Sequence, residues 1–207
     1  LVVIGILIAL QINNWNENKK LQKEEQKLIG SLIKEIESNI NNIEKVVVTN
    51  DSLIKISSSL LKKASAKKIV EINSSTISNL FAYTYNDIDN SILNEVLGTN
   101  SRSLISDEKY IEQLRVLKRS YDKSEKTLFY VDAYWNGKFI DFFNSSGLGI
   151  YISSNNLFED QKFKLNKSFL SLLSIMNGFQ RSLLMSRENL LEDLNNTLMI
   201  LKNVNND

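Results

Sequence analysis

The chain contains no proline in 207 residues. Proline is the residue that most effectively ends or kinks a helix, because its ring fixes φ and removes a backbone donor. Its absence leaves long, uninterrupted helices open to this sequence wherever the apolar pattern supports them. Cysteine and histidine are also absent. Without cysteine the chain can form no disulfide, thiolate nucleophile or thiolate metal ligand. Without histidine it has no imidazole to act as a base or a metal ligand.

Composition places the chain among ordinary folded proteins. Hydrophobic residues make up 43% and charged residues 24%, and 25 basic residues against 24 acidic ones leave a net charge of +1. The length suits one domain with its own core, or a helical stalk with a smaller head. Nucleic-acid binding requires a basic surface, which this balance does not indicate, so we predict no nucleic-acid partner.

The first twelve residues form an almost continuous apolar run without a polar face. Such a segment is buried on all sides, in protein or in lipid. As a helix it covers about 18 Å, whereas crossing the roughly 30 Å hydrocarbon core takes about 20 residues. We therefore predict that residues 1–14 are the carboxy-terminal part of a transmembrane helix that starts before Leu1. A buried strand and the centre of a signal peptide are the alternatives, and the second lacks a small-residue cleavage site.

Trp15 follows this run within the stretch Gln-Ile-Asn-Asn-Trp-Asn-Glu-Asn-Lys-Lys at residues 11–20. An indole favours the headgroup layer of a bilayer, while the neighbouring amides and lysines can face water. We predict Trp15 as a membrane-interface residue.

The opening stretch resembles a family of known sequences. Residues 5–17, Gly-Ile-Leu-Ile-Ala-Leu-Gln-Ile-Asn-Asn-Trp-Asn-Glu, follow four aliphatic residues. They are similar to the start of an uncharacterised family, a domain of unknown function, of single-span membrane-anchored proteins from Bacteroidetes, especially flavobacteria. In that family a short basic leader precedes the helix, which implies an inner-membrane location with the bulk of the chain in the periplasm. The family has no assigned activity, so the resemblance implies location and no chemistry.

A second stretch also resembles this family. It comprises residues 83–98, residues 104–110 and the helical pattern over 114–121. The family has a Ser-Gly pair where this chain has Leu97 and Gly98. Together the two stretches cover about a third of the chain.

An amphipathic pattern continues from the apolar run. Its apolar positions are Leu28, Leu32, Ile36, Ile40, Ile43, Val47, Ile54, Leu60 and Leu61. Spacings of three, four and seven residues predict a long helix that leaves the membrane over residues 15–63, with a boundary at 64–75. We expect residues 64–207 to form the remainder of a helical bundle that packs on residues 21–63.

Three further helices are predicted beyond this boundary. They span residues 77–97, ended by a left-handed Gly98, residues 106–143, opened by Ser106 and Asp107, and residues 167–203. The stretch 144–156 is predicted as a loop with a short strand at 149–153. About four long amphipathic helices are most simply buried as an all-α antiparallel bundle.

One stretch begins like a calcium-binding loop. Asp87 and Asp89 supply oxygen ligands at alternate positions, but Ile92 and Gly98 stand where the loop requires Gly and Glu. A polar helix face is the better interpretation, and we predict no metal site.

Other candidate motifs also lack the required spacing. Gly147 and Gly149 are not followed by the Lys-Ser or Lys-Thr pair of a phosphate-binding loop. Paired acids such as Glu35 and Glu37 do not share a helix face, and ordinary solvation explains them. We predict no cofactor and no enzymatic activity.

Aromatic residues are densest near the middle of the chain. They are Phe129, Tyr130, Tyr134, Trp135, Phe139, Phe142 and Phe143. Most fit one helical stripe and are predicted as core. Tyr130, Tyr134 and Phe143 cannot share the stripe of Trp135 and Phe139, so we predict these three as a surface for a partner or ligand.

These features together predict a membrane-anchored, non-enzymatic envelope protein. Its periplasmic helical bundle would bind a partner protein or a second copy of itself. The alternative is an extracytoplasmic sensor, in which a ligand between helices shifts the membrane-proximal helix and the signal passes through a partner. A broad apolar patch favours the first function, and an enclosed cavity with a few polar groups favours the second.

Overall fold

The structure is a computed structural model that describes residues 2–66, 71–73, 76–77, 80, 88–98, 105, 107–146 and 162–204. The fold is all-α, as predicted. The helices are α1 (Val2–Ser65), α2 (Ser91–Leu97), α3 (Glu108–Tyr134), a π-helical turn (Trp135–Phe139), α4 (Ile140–Ser146) and α5 (Lys167–Val204). Two three-residue strands, β1 (Glu71–Asn73) and β2 (Lys162–Lys164), accompany them.

Helix α1 is a single helix of 64 residues. It ends two residues beyond the predicted end at residue 63, with Lys62 and Lys63 in its last turn, where their charges complement the helix dipole. The α1 sequence has no proline to interrupt it, as expected. No helix in the described part of the chain has an apolar stretch long enough to cross a bilayer.

The described helices contribute to two compact units. The first comprises Leu1–Asn41, Ile88–Tyr121 and Glu192–Asp207, and the second comprises Asn42–Asp87 and Asp122–Leu191. Each unit takes part of α1, part of α3 and part of α5. Each therefore has its own helical core.

The core of the first unit is built by apolar residues of four helices. They are Ile29, Leu32 and Ile36 of α1, Leu93 and Val96 of α2, Ile111, Leu114 and Leu117 of α3, and Leu194 and Leu201 of α5. Their spacings of three, four and seven are those of helix faces that turn toward one another. At the edge of this core, Glu37 Oε1 and Lys202 Nζ form an ion pair of 2.7 Å between α1 and α5.

The second unit has an apolar cluster to which helices and a strand contribute. Its buried members are Leu60, Ile72, Ile77, Leu80, Phe139, Phe143, Phe169, Leu172, Leu173 and Met176. Strand β1 pairs antiparallel with β2, with Ile72 opposite Phe163, and the Ile72 side chain joins the cluster. Asn166 caps α5, since its Oδ1 accepts the Phe169 N–H at 2.8 Å.

The helix predicted over residues 77–97 is wrong in part, because residues 88–90 are not helical and α2 begins only at Ser91. Asp89 turns the chain at this point. Its Oδ1 accepts the Ser91 N–H at 2.9 Å, and its own N–H donates to Asn39 Oδ1 at 3.2 Å. Side chains that bond nearby backbone groups in this way compete with helix formation. Residues 78–79 and 81–87 of the prediction lie outside the described residues.

The helix ends differ from prediction in detail. Gly98 is extended, with φ −67° and ψ 158°, and its N–H donates to Glu95 O at 3.1 Å. The predicted left-handed stop is therefore wrong. Asp107 caps α3, because its Oδ1 accepts the Lys109 N–H at 2.8 Å. Ser106 and the strand predicted at 149–153 lie outside the described residues.

A π-helical turn changes the phase of the helix that follows α3. Within Trp135–Phe139 the Ile140 N–H donates to Trp135 O, which gives the i→i+5 spacing of a π-turn. The extra residue in the turn moves the buried positions on by one. Phe139 and Phe143 are consequently buried, whereas Phe142, which was predicted on the core stripe, is only partly buried.

Phe139 should be a main source of stability in the second unit. Phe139→Ala is expected to lower the free energy of unfolding by about 3–5 kcal/mol, because it removes a fully buried ring. Phe129→Ala is the matched control: it removes an exposed ring from the preceding helix and should change stability by about 0.5 kcal/mol or less. Urea denaturation followed by circular dichroism measures both, and equal effects would show that Phe139 does not have this role.

Candidate functional site

Helix α1 begins with an apolar end that no part of the described chain covers. Every Val, Ile and Leu side chain of residues 2–12 is at least 51% exposed, and Val2 is 78% exposed. Successive helical residues point about 100° apart, so Ile6, Leu7 and Ile8 alone face three directions. Extended apolar surface of this kind marks contact with lipid or protein.

Trp15 lies one turn beyond this apolar end and is 57% exposed. The Nζ atom of Lys19 sits 4.0 Å from the centroid of the Trp15 ring, a cation–π contact worth about 0.5–1 kcal/mol at an exposed site. The ring therefore contacts a lysine of the same helix and is still more than half exposed. Its assignment to a membrane interface stays a prediction.

The three aromatic residues predicted as a surface have different environments. Phe143 is 5% exposed and offers no surface, since the π-turn rotates it into the core; this part of the prediction is wrong. Tyr134 is partly buried and packs edge-on against Phe139 and Phe179, with ring centroids 5.5 and 4.9 Å apart. Tyr134 thus belongs to the edge of the core.

Tyr130 remains on the surface and has an aromatic neighbour. Tyr130 is 59% and Phe129 67% exposed, and their rings meet edge to face with centroids 6.1 Å apart. We call these two residues the aromatic pair. Exposed Tyr and Phe side chains supply much of the binding energy at many protein interfaces. Phe129 belongs to the aromatic group that was predicted mainly as core, and its exposure shows that the prediction is wrong for this residue.

A buried carboxylate lies in the first unit. Glu35 of α1 is 8% exposed, and its Oε2 and Oε1 accept the backbone N–H groups of Ile92 and Leu93 at 2.7 and 3.1 Å. Its Oε2 also lies 3.4 Å from Ser91 Oγ. Glu35 therefore caps α2 from another helix. It accepts hydrogen bonds from N–H groups in the first turn of α2 that have no acceptor within that helix.

Burial controls the acidity of Glu35. Loss of water around the side chain raises the pKa of the carboxyl, Asp89 adds repulsion, and the hydrogen bonds from Ile92 and Leu93 oppose the rise without cancelling it. Both carboxylate oxygens are already used by α2. The group thus has a clear structural role as the link between α1 and α2.

Asn39 lies one turn along α1 from Glu35 and is also buried. Its Nδ2 donates to Asp89 O at 2.5 Å and to the Tyr121 hydroxyl of α3 at 2.7 Å. Its Oδ1 accepts the Asp89 N–H. Burial raises the pKa of the Tyr121 hydroxyl, so this group stays neutral. Asn39 consequently joins three segments of the first unit through one amide.

The sequence contained a weak signal for this network. Glu35 falls on the same stripe as Leu32 and Ile36, which marks it for burial, but its pairing with Glu37 favoured a solvated interpretation. The structure separates the two: Glu37 pairs with Lys202 at the surface, and Glu35 is inside. Nothing in a single sequence indicates that its partners would be backbone N–H groups almost sixty residues away.

The second unit has its own buried polar contacts. Asn177 Nδ2 donates to Ser57 Oγ at 2.6 Å and to Ser58 Oγ at 3.0 Å. Arg181 Nε donates to Asn177 Oδ1 at 2.9 Å, and its Nη2 donates to Ser58 Oγ at 3.1 Å. These contacts fix α5 against α1 in this unit.

One cavity adjoins the apolar cluster of the second unit. Its volume is about 110 Å³, and its lining includes Ile77, Phe142, Lys164 and Phe169. Small-molecule sites typically enclose roughly 300–1,000 Å³, so this cavity is small for a ligand. Among the described residues, no group of three acidic side chains is placed to hold a metal ion.

Comparison with known proteins gives no relative for this chain: no family model, curated protein or solved structure matches it.

Glu35 predicts a specific pH dependence. Its pKa is raised in the folded state, so the folded state binds the proton more tightly than the unfolded state does. Its stabilising contribution is then present below the pKa of the unfolded chain and is lost as the pH rises through the folded value. Relative to wild type, Glu35→Gln, which cannot titrate, should become progressively more stable as the pH is raised from acid to neutral.

Urea denaturation of both proteins across this pH range tests the expectation. Glu37→Gln is the matched control: it removes a carboxylate two residues away that pairs with Lys202 at the surface, and should cost about 0.2–1 kcal/mol. A difference between wild type and Glu35→Gln that stays constant with pH, or changes with the opposite sign, would contradict the assignment.

Proposed function

We propose that the chain is a membrane-anchored helical scaffold that binds a partner protein or a second copy of itself. The observation that carries the proposal is the apolar end of α1, exposed on all sides and continuous with a helix that enters both helical units. In the proposed arrangement the helices form an antiparallel bundle outside the bilayer, in the periplasm. The resemblance of the opening stretch to periplasmic membrane-anchored proteins supports this location.

The residue types along α1 suit an anchor. Each Val, Ile or Leu of residues 2–12 contributes roughly 0.3–0.6 kcal/mol when it enters a bilayer, whereas in water the same side chains remain exposed. Residues 2–12 cover about 16 Å along the helix axis, which is about half of a hydrocarbon core. The helix therefore carries its own driving force for insertion to at least this depth.

Packing in the second unit supports the antiparallel arrangement. Leu60, near the end of α1, shares a cluster with Phe169 and Leu172 near the start of α5. Asn177, further along α5, bonds Ile54 O, which lies earlier in α1. Residue numbers at successive contacts thus increase along α5 and decrease along α1, as they do between antiparallel helices.

The aromatic pair is the proposed contact for a partner. Phe129 and Tyr130 are large, exposed and in contact with each other, so a partner could bury both rings in one contact. The ligand-sensing alternative needs an enclosed site of roughly 300–1,000 Å³, and the cavity at Phe169 in the described part of the chain is smaller, at about 110 Å³.

Charged substitutions in the apolar end should release the protein from membranes. A buried aspartate near the centre of a membrane helix costs about 2.5–3.5 kcal/mol, so Ile6→Asp with Leu7→Asp should lower membrane binding more than tenfold. Val48→Asp is the matched control, because Val48 is 71% exposed on the same helix beyond the apolar end. Sedimentation of membranes after an alkaline wash measures the bound fraction. Retention of the double variant at the wild-type level would contradict anchoring by this segment.

The aromatic pair can be tested by crosslinking, since the chain has no native cysteine. Phe129→Cys, labelled with a maleimide that carries a benzophenone, should give one defined product on illumination in native membranes, since the benzophenone inserts into C–H bonds of any neighbouring chain. The product should have twice the mass of the chain for self-association or another discrete mass for a partner. Lys126→Cys, exposed on the same helix, should give much less. Equal crosslinking at the two positions, or none at either, would remove the aromatic pair from the proposed interface.

A further inference from the structure

The helix surface beyond Trp15 is divided by charge. Lys19, Lys20, Lys23 and Lys27 are all exposed, and at about 100° per residue they share an arc of about 100° that starts beside Trp15. We call these four residues the lysine face. The nearby acids Glu17, Glu24 and Glu25 fall in a separate arc of similar width. The net charge of the segment is small, but its positive and negative groups point in different directions.

The ammonium groups of the lysine face are available for contact. Lys19 lies over the Trp15 ring, and no carboxylate in the described part of the chain forms an ion pair with Lys19, Lys20, Lys23 or Lys27. The apolar core of the first unit begins on another side of α1, at Ile29 and Leu32. The lysine face is therefore directed away from the protein interior.

Its position along the helix matches the polar layer of a bilayer. If Trp15 marks the edge of the hydrocarbon, Lys19, Lys20 and Lys23 follow at about 6, 7.5 and 12 Å along the axis. The attraction of a negative membrane surface decays within a Debye length of about 8–10 Å. Lys19 and Lys20 lie within this distance, Lys23 lies just beyond it, and Lys27 is further out at about 18 Å.

We propose that the lysine face binds the anionic headgroups of the phospholipid bilayer that holds the apolar end of α1. The inference rests on the proposed membrane anchor and adds the class of lipid that it selects. Charge complementarity carries the choice of occupant. Lysines led by Lys19 and Lys20, an indole and a continuous apolar segment follow one another in the order in which a bilayer presents phosphate, interface and hydrocarbon. The lysines would fix the depth and rotation of α1 at the membrane surface.

Vesicle flotation tests the proposal with the full chain. Wild type is mixed with vesicles of phosphatidylcholine alone, or of phosphatidylcholine with phosphatidylglycerol, at equal total lipid. The test variant carries Lys19→Gln, Lys20→Gln and Lys23→Gln. The control variant carries Lys45→Gln, Lys62→Gln and Lys63→Gln, three exposed lysines much further along the same helix, and has the same net charge.

Wild type is expected to bind the anionic vesicles at least tenfold better than the neutral ones, at roughly fivefold for each lysine near the surface. The preference should disappear at high salt because the charges are screened. The test variant should lose the preference but keep wild-type binding to neutral vesicles, and the control variant should behave as wild type.

The outcomes separate this proposal from the anchor itself. Strong, equal binding to both vesicles overturns the lipid preference and leaves the anchor in place. Binding to neither overturns both. If the test and control variants lose the preference for anionic vesicles equally, net charge alone explains the effect, and the proposed role of the lysine face is wrong. Binding to soluble polyglutamate without any preference for anionic vesicles would assign the face to an acidic protein and also overturn the proposal.

Discussion

Both units depend on the apolar stripe of α1. A helix of 64 residues gains little from propensity alone in water, because most helical stability in proteins comes from burial of one face. Leu32 and Ile36 of α1 are buried in the first unit, and Ile43, Leu53 and Leu60 in the second. Parts of α3 and α5 complete each core against this stripe. Where the stripe ends, at residues 2–12, the helix becomes apolar on every side, and no described part of the chain covers it.

The polar groups in these cores select particular partners. A buried carboxylate such as Glu35 costs free energy unless its oxygens are satisfied, and here two backbone N–H groups of α2 satisfy them. An isolated seven-residue helix is far below the length that is stable in water. The two helices therefore stabilise each other. The N–H groups of α2 offset part of the desolvation free energy of Glu35, and Glu35 together with Asn39 determines where α2 begins. In the second unit, Asn50 Nδ2 and Gln180 Oε1 have no hydrogen-bond partner among the described protein groups, so its polar contacts are less complete.

The long helices were predictable from the sequence because they obey local rules. The predicted helix over 167–203 is observed as Lys167–Val204. Its buried residues recur at helical spacing and include Leu172, Leu173, Met176, Leu183, Leu190, Leu194 and Leu201. Departures occur where one non-local contact or one irregular turn intervenes. The Asn39 side chain hydrogen-bonds both the N–H and the C=O of Asp89. Residue 89 is therefore not part of a helix, and α2 is shorter than predicted. The π-turn shifts the phase after Trp135, so Phe143 replaces Phe142 in the core. Neither the Asn39 contact nor the π-turn can be predicted from the spacing of apolar residues.

The exposed apolar residues differ from the core residues in their spacing along the chain. Apolar residues in the cores recur with the helical period and are buried, whereas the apolar end of α1 ignores that period and is exposed. Phe129 and Tyr130 are likewise exposed although Val131 beside them is buried. Burial of these side chains against lipid or another protein recovers hydrophobic free energy that the chain alone leaves unused. The polar groups Glu35, Asn39 and Asn177 are engaged in internal contacts, so the proposed binding function is assigned to these exposed surfaces.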